Sequence, residues 1–328
     1  MLSAKENARR LFHHEKAAYM PIFGDGVVNN TPVVGYCERP KGGRGGRDWF
    51  GVNWFWKEGD PAPMPVAPFL VEDIEDWKDA VRFPDLDDFD WEEAAAADRI
   101  PSFDRENNLL YQMIHNGLVE RLQNVMAPED AMCAYIVDPD SVREFFDALA
   151  DYKCALIDKI ARYYRPDIIC YHDDWGTQRG LLFSPDTWRE IVKEPTKRIV
   201  DHVHSKGIVF DLHCDGLIAE IVPEIVDDLR VDAINLMALN DIPALKKQTG
   251  DKVVYDMFID TQKYTALESS GLLTEEAFRE GIYNDVITCA RGGNFIPNFI
   301  LVSDEWRRII TEELRHVQRD LQKEQGAQ

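Results

Sequence analysis

From residue 109 onward the chain repeats one pattern, a short apolar run followed by a helical stretch. The runs are Leu109–Ile114, Ile168–Tyr171, Ile208–Leu212, Ala233–Met237, Val253–Phe258 and Phe295–Leu301. Helical patterns at Asp140–Tyr163, Ser184–Ser205, Leu217–Asp228 and Thr274–Ala290 separate them, and Asp304–Gln322 closes the series. Ser184-Pro185 and Thr274 are good helix starts, because a hydroxyl caps free N–H groups and proline is tolerated in the first turn. Apolar strands that alternate with helices predict a parallel sheet covered by helices. An earlier run, Tyr19–Phe23, supplies a seventh strand. A closed (β/α)8 TIM barrel with one strand unread fits this series better than an open doubly wound sheet. No GxGxxG follows a strand, so the dinucleotide fingerprint is missing.

The expected organisation is one barrel domain over residues 1–328. Within it, residues 1–107 hold an N-terminal helix to about Glu15, the first strand and a covering arm. A barrel of this size buries enough apolar surface to need no disulfide or metal staple. The arm is irregular and rich in Gly, Arg and Trp; residues 35–56 read either as a packed cover or as a lid that stacks on an aromatic substrate. The acidic stretch behind it predicts two short helices broken at Pro84, with a solvated face.

The net charge is −22, from 59 acidic and 37 basic residues. Such a surface repels phosphate backbones and anionic bilayers, so neither nucleic acid nor membrane is an expected partner. The six cysteines form no CxxC pair. Reduced thiols, a polar amphipathic N-terminus and strand-sized apolar runs lead to the expectation of a cytoplasmic protein.

In a barrel the carboxyl ends of the strands face the active site, and three such ends are unusually polar. The first carries His172, Asp173 and Asp174, followed by Gln178. Adjacent carboxylates beside a core are costly unless paired or used, so these residues read as acid, base or metal ligand, or else as a loop cap or a partner for Arg179. The second reads Asp211-Leu212-His213-Cys214-Asp215. Alternation puts Asp211, His213 and Asp215 on one side, and Cys214 joins them only if the strand has ended. Imidazole, thiolate and carboxylate are common zinc ligands, so His213, Cys214 and Asp215 are the candidate metal residues; a buried thiol beside a hydrogen-bonded histidine is the plainer reading. The third end carries Asp256 and Asp260, and Asp260 reads as a helix cap. The candidate catalytic groups are thus His172, Asp173 and Asp174. Asp25, after the first run, Trp54 in the arm, Gln178 and Asp256 are the candidate substrate contacts. No GxSxG, HExxH or P-loop occurs.

At these strand ends the chain resembles the uroporphyrinogen decarboxylase superfamily. HDDWGTQRGLLFSPDTWREIVKEPTKRIVDHVHSKGI looks like its central strand–helix unit, and DWFGVNW, VEDIEDWKDAVRFPDLDDFDW and VVYDMFIDTQ look like its methyltransferase branch. The resemblance spans nearly the whole chain and implies a (β/α)8 barrel. The arginine-rich RQAGRY-type segment and the FSDIL-type aspartate of the decarboxylases are missing; Arg44 and Arg47 are the nearest substitutes. Corrinoid-to-thiol members bind zinc through an HxC pair and a later cysteine. Here Asp215 holds the HxC thiolate position, Cys214 is shifted by one, and Cys289 falls within a helix. An oxygen-richer site suits polarising a methoxy oxygen. The resemblance therefore implies a zinc-assisted methyltransferase moving a methyl group from a small methylated substrate, with methoxylated aromatics among the candidates, to a partner corrinoid protein; for a methoxylated donor this is an O-demethylation. The alternatives are a cofactor-free decarboxylase of tetrapyrrole metabolism and a non-catalytic ligand-binding barrel.

Overall fold

The computed structural model describes residues 2–326 except 31, 33–35, 37, 41–43, 59–61 and 300–301. Cys37, parts of the arm and the end of the strand expected at Leu301 therefore lie outside the described residues. Seven parallel strands form the main sheet: β1 (Val27–Asn30), β2 (Leu109–Ile114), β3 (Ile168–His172), β4 (Val209–Cys214), β5 (Ala233–Met237), β6 (Val254–Phe258) and β7 (Phe295–Asn298). They lie side by side in chain order, so each connection crosses over to the next neighbour.

The sheet is curled. Val27, Tyr111, Cys170, Val209, Ala233, Val254 and Ile296, one from each strand, pack in a single apolar cluster, which requires all seven strands to turn one face inward. The helix α1 (Ala4–Phe12) plugs the amino-terminal end of this interior with Ala8, Leu11 and Phe12. Ser3 caps α1, accepting from the Glu6 N–H at 3.2 Å. The outward strand faces pack under the other helices in a second, larger core. Trp175 and Trp188 are fully buried there.

The first strand expected from the sequence is corrected. Tyr19–Phe23 is apolar but irregular, and β1 begins only at Val27. A turn at Phe23–Gly26 separates them, with Gly24 at φ +89° and Gly26 at φ +81°. A Cβ on Gly26 would sit 2.3 Å from the Ala4 carbonyl carbon, so α1 rests on glycine backbone here. Phe23 still reaches the far edge of the sheet, donating its N–H to the Pro297 oxygen of β7 at 3.3 Å. The main sheet gains no eighth strand among the described residues.

The helix α2 (Leu118–Val125) follows β2, and α3 (Pro139–Tyr163) and α4 (Lys193–Ser205) flank β3. Ser184 and Thr274 cap the helical runs that begin at Pro185 and Glu275, and Asp260 caps the helix Thr261–Ser269. The acidic stretch forms short helices on either side of Pro84, at Trp77–Ala80 and Trp91–Ala97. The arm carries a small antiparallel sheet of Gly46–Arg47, Asn53–Phe55 and Met64–Pro65. Two buried ion pairs fasten it. Arg121 of α2 meets Asp48 at 2.6 Å, and Lys153 of α3 meets Glu38 at 2.6 Å. No helix among the described residues is long and apolar enough to cross a membrane.

Candidate metal centre

His172 ends β3 and His213 lies opposite it in register on β4. Paired residues on adjacent strands are spaced by the sheet itself, about 5 Å apart. Their rings accordingly stack face to face, with centroids 4.0 Å apart and planes 20° from parallel. Each ring is held from behind by an acceptor at Nδ1. His172 Nδ1 lies 2.8 Å from Glu120 Oε2, and His213 Nδ1 is bonded to Asn235 Oδ1 of β5. In the neutral form of each ring these contacts favour the Nδ1–H tautomer, with the lone pair at Nε2. His213 Nε2 is buried and has no hydrogen-bond partner.

Two carboxylates approach that atom. Asp174 Oδ1 lies 3.7 Å and Asp215 Oδ1 3.5 Å from His213 Nε2. The loops that carry them touch backbone to backbone. Gly216, at φ +88°, leaves no room for a Cβ, which would fall 2.2 Å from the Gly176 carbonyl carbon. Asp174 also accepts the Asp215 N–H at 2.8 Å. His172, Asp174 and His213 each offer one ligand atom within 4.8 Å of the others. Two nitrogens, one of them the buried and unpartnered His213 Nε2, and a carboxylate oxygen fit a zinc-like ion.

The electrostatics are uneven across the stacked pair. Burial works against charge on His172, but Glu120 and Asp174 outweigh it and raise the imidazole to about 9. Burial, with His172 beside it, pushes His213 down to about 4. Burial raises both Asp174 and Asp215 above the ordinary carboxylate range.

Several expected site residues are placed elsewhere. Asp173 is fully buried and caps α2, accepting from Val119 N at 3.3 Å and Glu120 N at 3.0 Å, and from Trp175 Nε1 at 2.9 Å. Its role is to seat that helix rather than to face a substrate. Cys214 points to the opposite side of β4 from His213, as strand alternation demands. Its buried sulfur accepts the Trp175 N–H at 3.2 Å, and burial drives the thiol well above its usual range. Cys214 is therefore not part of the cluster, in which His172 and Asp174 stand beside His213 instead.

Asp25 precedes β1 instead of following a strand. That puts it at the amino-terminal end, where it pairs with Arg315 at 2.5 Å. Gln178 is exposed in the hairpin between Gly176–Thr177 and Gly180–Leu181. Trp54 is buried in the arm and donates to Asp48 at 3.1 Å, so it packs the cover and does not open onto a ligand. Asp256 lies inside the curl, below the histidines. Asn298 donates to it at 3.4 Å, and Tyr111 donates to Asp211 at 2.9 Å and reaches Asp256 at 3.5 Å.

Glu120, Asn235, Arg39 and His115, whose ring lies 5.5 Å from that of His172, were not singled out from the sequence. A signal existed for two of them. His115 opens a polar end after β2, and Asn235 interrupts an apolar strand. Glu120 comes from a helix face, and Arg39 from the arm, where it meets Glu120 at 2.9 Å.

The family model for uroporphyrinogen decarboxylase (URO-D) matches residues 123–255, which include β3, β4, β5 and the cluster. No curated protein matches the chain. Among solved structures, a methyltransferase from Methanosarcina mazei is similar over 96% of this chain and 99% of its own, at 13% identity and a TM-score of 0.69. Old Yellow Enzyme from Pichia sp. is similar over 68% and 66%, at 9% identity and TM-score 0.40. An intracellular xylanase from Thermoanaerobacterium saccharolyticum covers 62% and 69%, at 11% identity and TM-score 0.38. The chain thus matches the uroporphyrinogen decarboxylase family model over residues 123–255 and shares its overall fold with the Methanosarcina mazei methyltransferase over nearly its whole length.

Proposed function

We propose that this protein is a metal-assisted methyltransferase that takes a methyl group from a small methoxylated donor and hands it to a partner corrinoid protein. In this reading the curled sheet is a (β/α)8 barrel whose seam is bridged at Phe23 and Pro297, and the cluster sits at its carboxyl-terminal mouth. The observation that carries the proposal is the sulfur-free donor set: His172, Asp174 and the unpartnered His213 Nε2 converge while Cys214 is committed elsewhere. Nitrogen and oxygen ligands suit zinc used on an oxygen-bound group better than zinc used on a thiol. When bound, zinc supplies Lewis acidity towards the oxygen that loses its methyl group.

The chain's own residues do the rest. His172, His213 and Asp174 hold the ion. Asp215, half-buried beside His213 and with its carboxyl raised by burial, carries the proton that the departing oxygen needs. The arm, fixed by buried ion pairs, limits water at the mouth. The family match also motivates decarboxylation of a tetrapyrrole with many carboxylates. In the arm, however, Arg39 is already paired with Glu120, and Arg47 is exposed and hydrogen-bonded to Asn53.

The test is cobalamin methylation followed by absorbance. The zinc-loaded protein is mixed with cob(I)alamin and a panel of methoxylated aromatics. Methylation that is lost in Asp174→Asn and His213→Ala supports the reading. Turnover of uroporphyrinogen without added corrinoid, or full activity in metal-free protein, overturns it.

A further inference from the structure

Glu120 stands behind the metal cluster on α2, and its environment is more elaborate than a surface carboxylate needs. One oxygen, Oε2, lies 2.8 Å from His172 Nδ1; the other, Oε1, accepts from Arg39 Nη2 at 2.9 Å. Its own N–H is held at 3.0 Å by Asp173, which caps the helix. Gly117, just before α2, permits this: a Cβ there would lie 2.2 Å from the Asp173 Cβ. Glu120 is thus located through its backbone by the loop that follows β3 and through its side chain by the arm.

We infer that Glu120 is a positioning residue that orients His172 for metal binding through its bond to Nδ1, with Arg39 of the arm holding Glu120 in place. The inference deepens the proposed metal site and rests on it. A histidine ligand gains basicity and a fixed ring orientation when its second nitrogen donates to a carboxylate, and loss of such a partner costs about 10–100-fold in metal affinity. Asn235 does the same for His213 with a neutral acceptor. The two imidazoles therefore face the same ion with different backing, and the charged backing belongs to His172. Arg39 also bonds Asn116, and Glu38 beside it is tied to Lys153. Seating of the arm and quality of the metal site are in this way coupled through one side chain.

The experiment is a titration of the metal-free full chain with cobalt(II), read by its visible bands, and with zinc in competition with a chelating dye. Thermal melts establish that each variant is folded. Glu120→Ala is expected to bind about 10–100-fold more weakly. Glu120→Gln keeps an acceptor at Nδ1 and is expected to recover part of that loss, with the wild-type shape of the cobalt bands. Arg39→Gln is expected to weaken binding by a smaller factor, roughly 3–10-fold, since Glu120 loses its clamp but stays in place. Unchanged affinity in a folded Glu120→Ala protein overturns the inference and leaves the metal site standing. A changed band pattern in Glu120→Gln also overturns it, because Glu120 would then be a ligand itself. Failure of the wild-type chain to bind either ion removes the metal site and this role together.

Discussion

At the scale of single residues, the orphaned Nε2 of His213 is the most telling atom in the molecule. A buried polar atom without a partner costs about 1–3 kcal/mol, and native chains seldom leave one unless something else meets it. Replacing His213 with alanine should abolish zinc retention, measured by elemental analysis after gel filtration. Cys214→Ser should retain the same zinc content as wild type, since its sulfur serves the Trp175 N–H. Loss of zinc in Cys214→Ser would restore the thiolate reading.

Asp256 offers a separate, pH-dependent outcome. Burial, then Asp211 nearby, raises its carboxyl well above the usual range. The folded chain therefore keeps a proton that the unfolded chain releases at about pH 4. Stability from this source is complete below that pH and falls as pH rises towards the folded value, by up to about 1.4 kcal/mol per pH unit. Asp256→Asn removes the slope, so the melting temperature of the variant minus that of wild type should grow between pH 5 and pH 8. A constant difference across that range would count against a protonated Asp256.

At the scale of elements, the arm is held both by Tyr36, Phe50, Val52 and Trp54 buried in the main core and by two buried ion pairs. Burial pushes the Glu38 carboxyl up and the Lys153 ammonium down, yet they remain 2.6 Å apart inside the protein. Removing one partner strands the other, which costs about 3–5 kcal/mol. Lys153→Met should lower the unfolding free energy by that amount in urea, and the double variant Glu38→Gln, Lys153→Met should recover much of it. Equal losses in both proteins would show that packing, not charge, fastens the arm.

The elements also show what a linear reading can reach. Strands β2 to β7 were legible because each is an apolar run with capped helices around it, and the parity of Asp211, His213 and Cys214 followed from alternation alone. The first strand was misplaced because Tyr19–Phe23 has the right composition, whereas the positive-φ turn at Gly24 and Gly26 decides where pairing begins. Asp173 and Asp174 are neighbours with the same chemistry, and only the fold shows that one caps α2 while the other faces His213. Glu120 was illegible for a related reason: it lies 52 positions from His172 and meets it only through the packing of α2 on β3.

At the scale of the whole molecule, metal and fold should share a free energy. An ion that binds only the native state stabilises it in proportion to the logarithm of its concentration over Kd, about 2.7 kcal/mol at a hundredfold excess. For a chain of this length that corresponds to roughly 3–5 °C in melting temperature. Calorimetry with zinc and after exhaustive chelation should show a shift of that size in wild type and none in His213→Ala. An identical melt with and without the ion would separate the cluster from the fold's stability.

The in-register stacking of His172 on His213 makes the sheet a ruler for ligand chemistry. Successive positions on β4 look to opposite sides, so sliding that strand by a single position would carry the imidazole out to the helices and bring the Cys214 sulfur into the mouth. At the proposed metal site a harder and a softer donor set are thus separated by one step of pairing, and the contacts that lock β4 against β3 and β5 guard that choice as much as the shape.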